Sequence, residues 1–145
     1  MTTDDVGRDG PRVLDGLDAV RAAVGTDLGP TGWVTLDAER VARFAAAAPG
    51  APADSASPWL LLALTNLFMP EMVEVRGVSA GLNVGTGEVR FGDPVPVGAR
   101  VRGRGVVAAA DDARGGVQTT IRITVEVEDR EAHAVVVDAL SRWLA

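Results

Sequence analysis

The chain has 145 residues, 47% of them hydrophobic, which is enough to build one buried core. It contains no cysteine and one histidine, so disulfides, thiolate chemistry and a multi-histidine metal centre are excluded. The 14 basic residues are all arginine and are outnumbered by 20 acidic residues, which argues against a nucleic-acid partner. We expect neither a metal nor a cofactor.

The first 13 residues are predicted to be a flexible segment, and residues 14–145 a single domain. This segment is polar and acidic and has no apolar stretch typical of a secretory signal, so we expect a cytoplasmic protein. The longest apolar stretch, residues 58–70, contains Thr65 and Asn66 and is too short to cross a bilayer about 30 Å thick. It is predicted to be a buried helix, and no membrane contact is expected.

Three helices are predicted in the first half of the chain. Residues 14–24 carry apolar side chains at helical spacing before a glycine, and a second helix follows Thr35, which is placed to cap it. Ser57 and Pro58 are a typical helix start, because serine accepts from free backbone N–H groups and proline gives up only an unpaired donor. The third helix is nearly apolar all round through Met69, and Pro70 is predicted to kink or end it.

From Val73 onward the apolar residues recur at every second position. The clearest strand is predicted at residues 117–128, where apolar and polar residues alternate. This pattern is typical of an antiparallel strand with one face exposed to water. Further strands are predicted at residues 78–84, 88–91, 100–109 and 132–143, separated by turns rich in glycine and proline. Helices followed by about five strands predict an α+β fold, with a curved antiparallel sheet around the central apolar helix.

Five segments of the sequence together form a recognisable pattern. In chain order they are GTDLGPTGWVTLDAERVARFA (25–45), WLLLAL (59–64), GLNVG (81–85), VRFGDPVPVGARVRG (89–103) and GGVQTTIRITVEVE (115–128). Together they resemble the single-domain MaoC-like dehydratases, also called (R)-specific enoyl-CoA hydratases. The most specific part is RFGDPVPVGARVR, from Arg90 to Arg102. The resemblance implies a hot-dog fold, a dimer whose sheets join edge to edge, and a tunnel for an acyl thioester on CoA or a carrier protein.

One part of that family's pattern is missing. After the equivalents of Phe44 and Ala45 the family continues through T-G-D-x-x-x-x-H to A-H-G, whereas this chain reads AAAAPGAPADSASPWLLLAL. The A-H-G tripeptide falls on Ala56, Ser57 and Pro58, so an imidazole is lost and a proline replaces the glycine N–H expected to bind the thioester oxyanion. The resemblance thus implies a retained pocket without the carboxylate and imidazole that move protons in hydration.

Three functions remain open for such a chain. The first is binding of a bulky apolar acyl or polyketide-like ligand and its cyclisation or pericyclic closure by shape, as in a tailoring enzyme. The second is a non-catalytic subunit that pairs with an active hot-dog hydratase or dehydratase. The third is a true hydratase or dehydratase in which Asp54 or Glu71 acts as the base. The expected partners are the ligand, free or bound to CoA or a carrier, and a second chain, either identical or an active hot-dog protein.

The candidate catalytic residues are Asp54 and Ser57, directly before the central helix, although residues of these types also cap helices. The candidates for substrate binding lie on the central helix and in the GLNVG segment: Trp59, Leu62, Asn66, Phe68, Met69 and Asn83. The missing segment predicts a wider, more apolar cavity, because it removes a loop at the tunnel mouth.

Four polar side chains have a structural alternative. Asn66 is equally suited to bonding a ligand, the backbone or a partner subunit, and Asn83 also suits a turn. Arg90 is expected in an ion pair, or else against a ligand phosphate or a partner. His133 is predicted on the final strand, at a core or interface position.

Overall fold

The computed structural model of the chain describes residues 10–50 and 54–145. The helices are α1 (Leu17–Ala22), α2 (Ala38–Ala47), α3 (Pro58–Ala63) and α4 (Thr65–Met72). The strands are β1 (Arg12–Asp15), β2 (Asp27–Leu28), β3 (Val34–Thr35), β4 (Ser55–Ala56), β5 (Val73–Arg76), β6 (Ala80–Phe91), β7 (Val95–Pro96), β8 (Arg100–Ala113), β9 (Gly116–Val127) and β10 (Val135–Leu144). None of the described helices is long and apolar enough to span a membrane.

The main sheet has the strand order β2-β8-β9-β10-β6, and β3 also pairs with β8, beside β2. All of its pairings are antiparallel. Two small pairs lie outside this sheet, β1 with β5 in parallel and β4 with β7 antiparallel. The α+β class predicted from the sequence is confirmed.

The core lies between the inner face of this sheet and the central helices. Buried and less buried residues alternate along β9, as its sequence pattern predicts. Phe68 and Met72 of α4 are fully buried against β8. A Cβ at Gly103 of β8 would lie 2.8 Å from the Cβ of Phe68, so only glycine lets α4 approach the sheet this closely.

The central apolar segment forms two helices. The interruption lies at Leu64, which ends α3 and precedes α4. Pro70 lies inside α4, which continues to Met72, so the predicted helix end at Pro70 is wrong. Because proline has no N–H, α4 lacks the hydrogen bond that residue 70 would make to the carbonyl of Asn66, and the helix ends two residues later.

The N-terminal elements differ from the prediction in two ways. Residues 12–15 form β1, paired with β5, and Gly16 has φ of 87°, so the predicted helix over residues 14–24 is shortened to α1. Residues 12 and 13, which the sequence places in the flexible segment, belong to β1, and residues 1–9 of that segment lie outside the described residues. The cap of α2 is Asp37, whose carboxylate accepts from the backbone N of Arg40 at 2.8 Å, and not Thr35, which belongs to β3.

β6 forms one edge of the main sheet. It runs through the turn predicted at residues 85–87, and its register with β10 shifts on either side of Leu140. Most of its residues are exposed, and no other described strand pairs with its outer side. The backbone N–H and C=O groups on that side are therefore open to another chain.

Candidate functional site

The start of α3 is held in place by the short β4–β7 pair, in which Ser55 lies opposite Pro96 and Ala56 opposite Val95. Ser57 Oγ accepts a hydrogen bond from the backbone N of Trp59 at 3.2 Å, which confirms the predicted cap. Ser57 is only 7% exposed. Its hydroxyl thus has a structural partner, and its catalytic role stays a prediction.

A cavity of about 160 Å³ opens beside this helix start. Its lining consists mainly of carbon atoms, from Ser55, Ala56, Pro58, Leu61, Gly92, Asp93, Pro94, Val95 and Ala134. Pockets that enclose drug-sized ligands usually measure about 300–1,000 Å³. A single chain therefore offers room here for a small apolar group, and a larger ligand would need additional walls from a second chain.

The ionisable groups around this cavity are not paired with one another. Asp54 is exposed and accepts from Ser55 Oγ at 3.3 Å, and Asp93 is exposed on the cavity rim. His133 is also exposed, and its side chain makes no hydrogen bond or ion pair with the described residues. Residues 51–53 are Ala-Pro-Ala and add no titratable side chain. Residues 10–50 and 54–145 thus contain no carboxylate–imidazole pair of the kind that hydration needs.

The position of His133 differs from the sequence prediction. It precedes β10 and is exposed, so its predicted place on the strand is wrong, as is the core position, whereas the interface position stays a prediction. Its backbone carbonyl lies directly against Gly92, and the neighbouring Ala134 lines the cavity. The sequence did not reveal this position because it depends on strand pairing. The register of β10 with β6 sets Val135 opposite Phe91 and so brings residues 133 and 134 to the start of α3.

A second depression, a groove of about 430 Å³, lies further along the helices, between α3, α4 and the edge strand β6. Asn83 Nδ2 donates to Asn66 Oδ1 across it at 3.1 Å. Leu62 lines the same groove. The structure thus brings together three of the six side chains predicted to bind substrate.

The other three predicted substrate-binding residues lie elsewhere. Trp59 is 62% exposed and packs edge to face on Phe91, with 5.2 Å between ring centroids. Met69 is half-buried against the core. Phe68 is fully buried against Gly103, so its predicted role as a ligand contact is not met in the single chain; it is a core residue.

None of the side chains with shifted pKa values lies at the start of α3; they lie on α1, on β5 and on the main sheet. Burial opposes ionisation of Glu126, but hydrogen bonds from Arg102 at 2.8 Å and Arg104 at 2.9 Å lower the pKa of this carboxyl. The pKa of Asp138 is lowered by two hydrogen bonds from Arg122. Perturbed groups often mark active sites, but these belong to ion pairs between neighbouring strands and stabilise the sheet.

Two other predicted residues have partners of their own. Arg90 forms an ion pair with Glu88 at 2.8 Å, as expected, at a polar depression of about 390 Å³ next to Arg122 and Asp138. Glu71 lies in the last turn of α4, where its carboxylate accepts from the backbone N of Gly32 at 3.4 Å.

No three side chains able to ligate a metal come together within the described ranges.

No family model matches the chain. It is 33% identical over 150 residues to the 3-hydroxyacyl-thioester dehydratase Z of Mycobacterium tuberculosis, covering 92% of this chain and 99% of that protein. Among solved structures it is similar to the MaoC-like dehydratase of Rhodospirillum rubrum, with a TM-score of 0.68, 17% identity and coverage of 85% and 94% of the two chains. It is also similar to the C-terminally truncated HadBC complex, a 3R-hydroxyacyl-ACP dehydratase of M. tuberculosis, with a TM-score of 0.62, 16% identity and coverage of 83% and 96%.

The structural similarities confirm the fold that the resemblance implies. The alignment with the dehydratase of M. tuberculosis spans 150 positions, more than the 145 residues of this chain, so that relative has residues without a counterpart here.

Proposed function

Because the chain belongs to the MaoC-like dehydratase family of hot-dog proteins, we propose that it binds acyl thioesters as the non-catalytic subunit of a heteromeric dehydratase. A second hot-dog chain supplies the acid and the base, and this chain supplies the other wall of the acyl tunnel. The observation that carries the proposal is the start of α3, where Ser57 caps the helix and Pro58 follows.

The chemistry of dehydration explains why this helix start matters. Removing water from a 3-hydroxyacyl thioester takes a base for the proton next to the carbonyl and an acid for the departing hydroxyl. It also benefits from an N–H donor to the carbonyl oxygen, and Pro58 has none. His133 stands near the cavity rim and has no carboxylate partner among the residues that the structure describes, so that part of the chain lacks a matched pair for proton transfer.

The surface of the chain supports an obligatory partner. Apolar side chains are exposed on the central helices and on the neighbouring edge strand β6: Trp59, Leu67, Leu82, Val84 and Phe91. An unpaired edge and exposed apolar side chains together favour association, because both backbone hydrogen bonds and apolar burial are gained. The similarity to a two-subunit dehydratase complex supports a different chain as the partner, while a homodimer is the alternative predicted from the sequence.

Activity measurements on the isolated chain and on a reconstituted pair test the proposal. Alone, the chain is expected to leave crotonyl-CoA unhydrated. Mixed with a MaoC-like chain that carries an intact acid and base, it is expected to form a 1:1 complex and to raise kcat/KM on acyl thioesters. The matched control is the same pair with the partner's catalytic histidine replaced by alanine, which should be inactive.

The aromatic pair of Trp59 and Phe91 favours a second candidate, the cyclisation of a bulky apolar or polyketide-like ligand. Such a reaction needs reacting atoms held close together and no proton relay. If it is the function, Trp59→Ala abolishes turnover of the bulky ligand, whereas Asp54→Ala and Ser57→Ala preserve it.

The third candidate is a hydratase with a relocated base, and Asp54 next to the small cavity is its best-placed group. Glu71 is less suited, since it lies in the last turn of α4, beyond the Asn66–Asn83 groove from the helix start. Hydration of crotonyl-CoA by the isolated chain, lost in Asp54→Ala, would establish this candidate and overturn the other two.

A further inference from the structure

We propose that Arg130 is a positioning residue, which shapes the small cavity at the start of α3 for the apolar end of an acyl group. This inference rests on the proposed function, because the thioester ligand supplies that group. Arg130 follows β9, in the loop that leads to β10, and its guanidinium reaches the segment between β6 and β7. Asp93 and Pro94 of that segment line the cavity.

The guanidinium of Arg130 holds this segment by two hydrogen bonds to its main chain. Nη2 donates to the carbonyl oxygen of Asp93 at 2.8 Å, and Nη1 donates to that of Pro94 at 3.0 Å. A guanidinium is planar and rigid, so the two bonds fix two consecutive carbonyls relative to each other. They thereby set both the position and the orientation of one wall of the cavity.

The segment from Gly92 to Pro94 has few other restraints. It lies between β6 and β7 and pairs with no described strand. Pro94 has no N–H, and the backbone N–H of Gly92 donates to the carbonyl of Ala134 at 2.8 Å. Within the described residues, the carbonyls of Asp93 and Pro94 have no donor other than Arg130. The conformation of this wall therefore depends on one side chain.

The loop before β10 is built to present that side chain. The backbone N of Arg130 donates to the carbonyl of Val127 at 3.3 Å, which closes a turn. Asp129 within the turn has a φ of 57°, in the left-handed region that aspartate tolerates better than most residues other than glycine. Although Glu128 and Glu131 are close in sequence, Arg130 makes no ion pair with any described carboxylate. Its hydrogen bonds instead go to the two carbonyls of the wall.

A fixed wall matters because the cavity is small and apolar. Its volume is about 160 Å³, so an apolar group that enters it contacts several lining residues at once. Dispersion attraction is short-ranged, and a gap of about 0.5–1 Å already loses a quarter to a half of it. A wall free to move would lose these contacts and would cost more entropy to order around the ligand. Arg130 should therefore determine how strongly the cavity holds the end of an acyl chain.

The preference of the purified chain for butyryl-CoA over acetyl-CoA tests this assignment by isothermal titration calorimetry. The two ligands share the CoA portion, and the butyryl group has two more methylene groups. Their burial should favour butyryl-CoA by about 10-fold in the wild-type protein. In Arg130→Ala that ratio of dissociation constants should fall to less than about 3-fold. Partial unfolding of a variant does not alter the ratio, because both ligands bind only the folded fraction.

Arg142→Ala is the matched control. Like Arg130, Arg142 is half-buried and has a buried Nε without an acceptor among the described residues, but it donates to Gln118, outside the cavity. It should keep the full preference for butyryl-CoA. Arg130→Lys is a milder second variant, which keeps the charge and the stem. Its ratio should also fall below the wild-type value, because an ammonium lacks the planar fork that spans two carbonyls.

Hydrogen exchange of the Gly92 amide, followed by NMR, tests the positioning without any ligand. Exchange should be at least about 5-fold faster in Arg130→Ala and unchanged in Arg142→Ala, because only the first variant releases the segment. An unchanged exchange rate in Arg130→Ala overturns the assignment, as does a butyryl preference that survives in it or that falls equally in both alanine variants. Wild-type protein that binds both thioesters without preference overturns the assignment alone, and wild-type protein that binds neither overturns the proposed function as well.

Discussion

The two edges of the main sheet differ in how far other strands of the chain cover them. At one edge β8 is covered by β2, which pairs with Val106 and Gly105, and by β3, which pairs with Val101 and Arg100. At the other edge β6 has no further described strand on its outer side, although it is twelve residues long. The chain thus covers the first half of the β8 edge with its own strands, whereas the outer side of β6 pairs with no described strand.

The side chains next to each edge show the same difference. Near β8, Arg102 packs over the ring of Trp33 at 4.4 Å and also bonds Glu126. Near β6, Leu82 and Val84 are 46% and 42% exposed. Contacts within the chain are thus more extensive near the β8 edge than near the β6 edge. Stability should therefore depend on residues near β8, and association on residues near β6.

The largest expected effect is on stability, at the contact of α4 with β8. Phe68→Ala should lower the free energy of unfolding by about 3–5 kcal/mol, because it leaves a cavity against Gly103. Its neighbour Leu67 is 45% exposed, so Leu67→Ala should change monomer stability by less than about 1 kcal/mol. Urea denaturation measures both, and equal losses would contradict the assignment of Phe68 to the core.

The next effect concerns association through β6. Val84→Lys should weaken self-association or heteromeric pairing by about 100-fold, because it places a charge within an apolar interface. Val24, 51% exposed outside this surface, provides the control Val24→Lys. Sedimentation velocity over a concentration series reports the change. An unaltered association constant in Val84→Lys would rule out the β6 edge as the interface.

A smaller effect separates the two roles considered for Ser57. As a cap, Ser57→Ala should cost about 1 kcal/mol of stability, and Ser57→Asp should recover most of it, because a carboxylate also accepts from the N–H groups at the helix start. Thermal unfolding measures the stability. If Ser57→Asp abolishes activity of the assembled enzyme while restoring stability, the hydroxyl has a catalytic role as well.

The smallest effect is a pH dependence from the β8 side of the sheet. The ordinary pKa of a glutamate is 4.5 and that of Glu126 is lower in the folded chain, so the unfolded chain binds more protons in acid. The stabilising contribution of Glu126 is complete above its unfolded pKa and is lost as the pH falls through the folded value. Glu126→Gln should reduce the loss of stability between about pH 5 and pH 3 by about 1 kcal/mol or less. Gln118→Ala, which removes an amide on β9 and no ionisable group, should not alter this profile.

The sequence predicted the regular parts of the fold well. The alternation in β9, the helix start at Ser57 and Pro58, and the α+β class all follow from local patterns, because neighbouring residues determine them. Local pattern failed where long-range pairing decides the conformation. Residues 12–15 pair with β5, and β6 continues through its glycines because β10 lies beside it.

The candidate site was predicted in part. The absence of the T-G-D-x-x-x-x-H and A-H-G segments could be read from the sequence, since it depends only on which residues are present. The meeting of Asn66 with Asn83, and of the segment before β10 with Gly92, depends on the register between β6 and β10. The burial of Phe68 against the sheet could not be predicted, because an apolar helix gives no sign of which side faces the sheet.

The fluorescence of the three tryptophans reports on the two edges of the sheet. The chain contains no tyrosine, so its near-ultraviolet emission comes almost wholly from indole rings. Trp33 lies next to arginines by β8, Trp143 donates to Thr119 within the sheet, and Trp59 faces water beside β6. A blue shift of the Trp59 signal, isolated by replacing the other two with phenylalanine, would therefore follow docking of the second chain in real time without any attached dye.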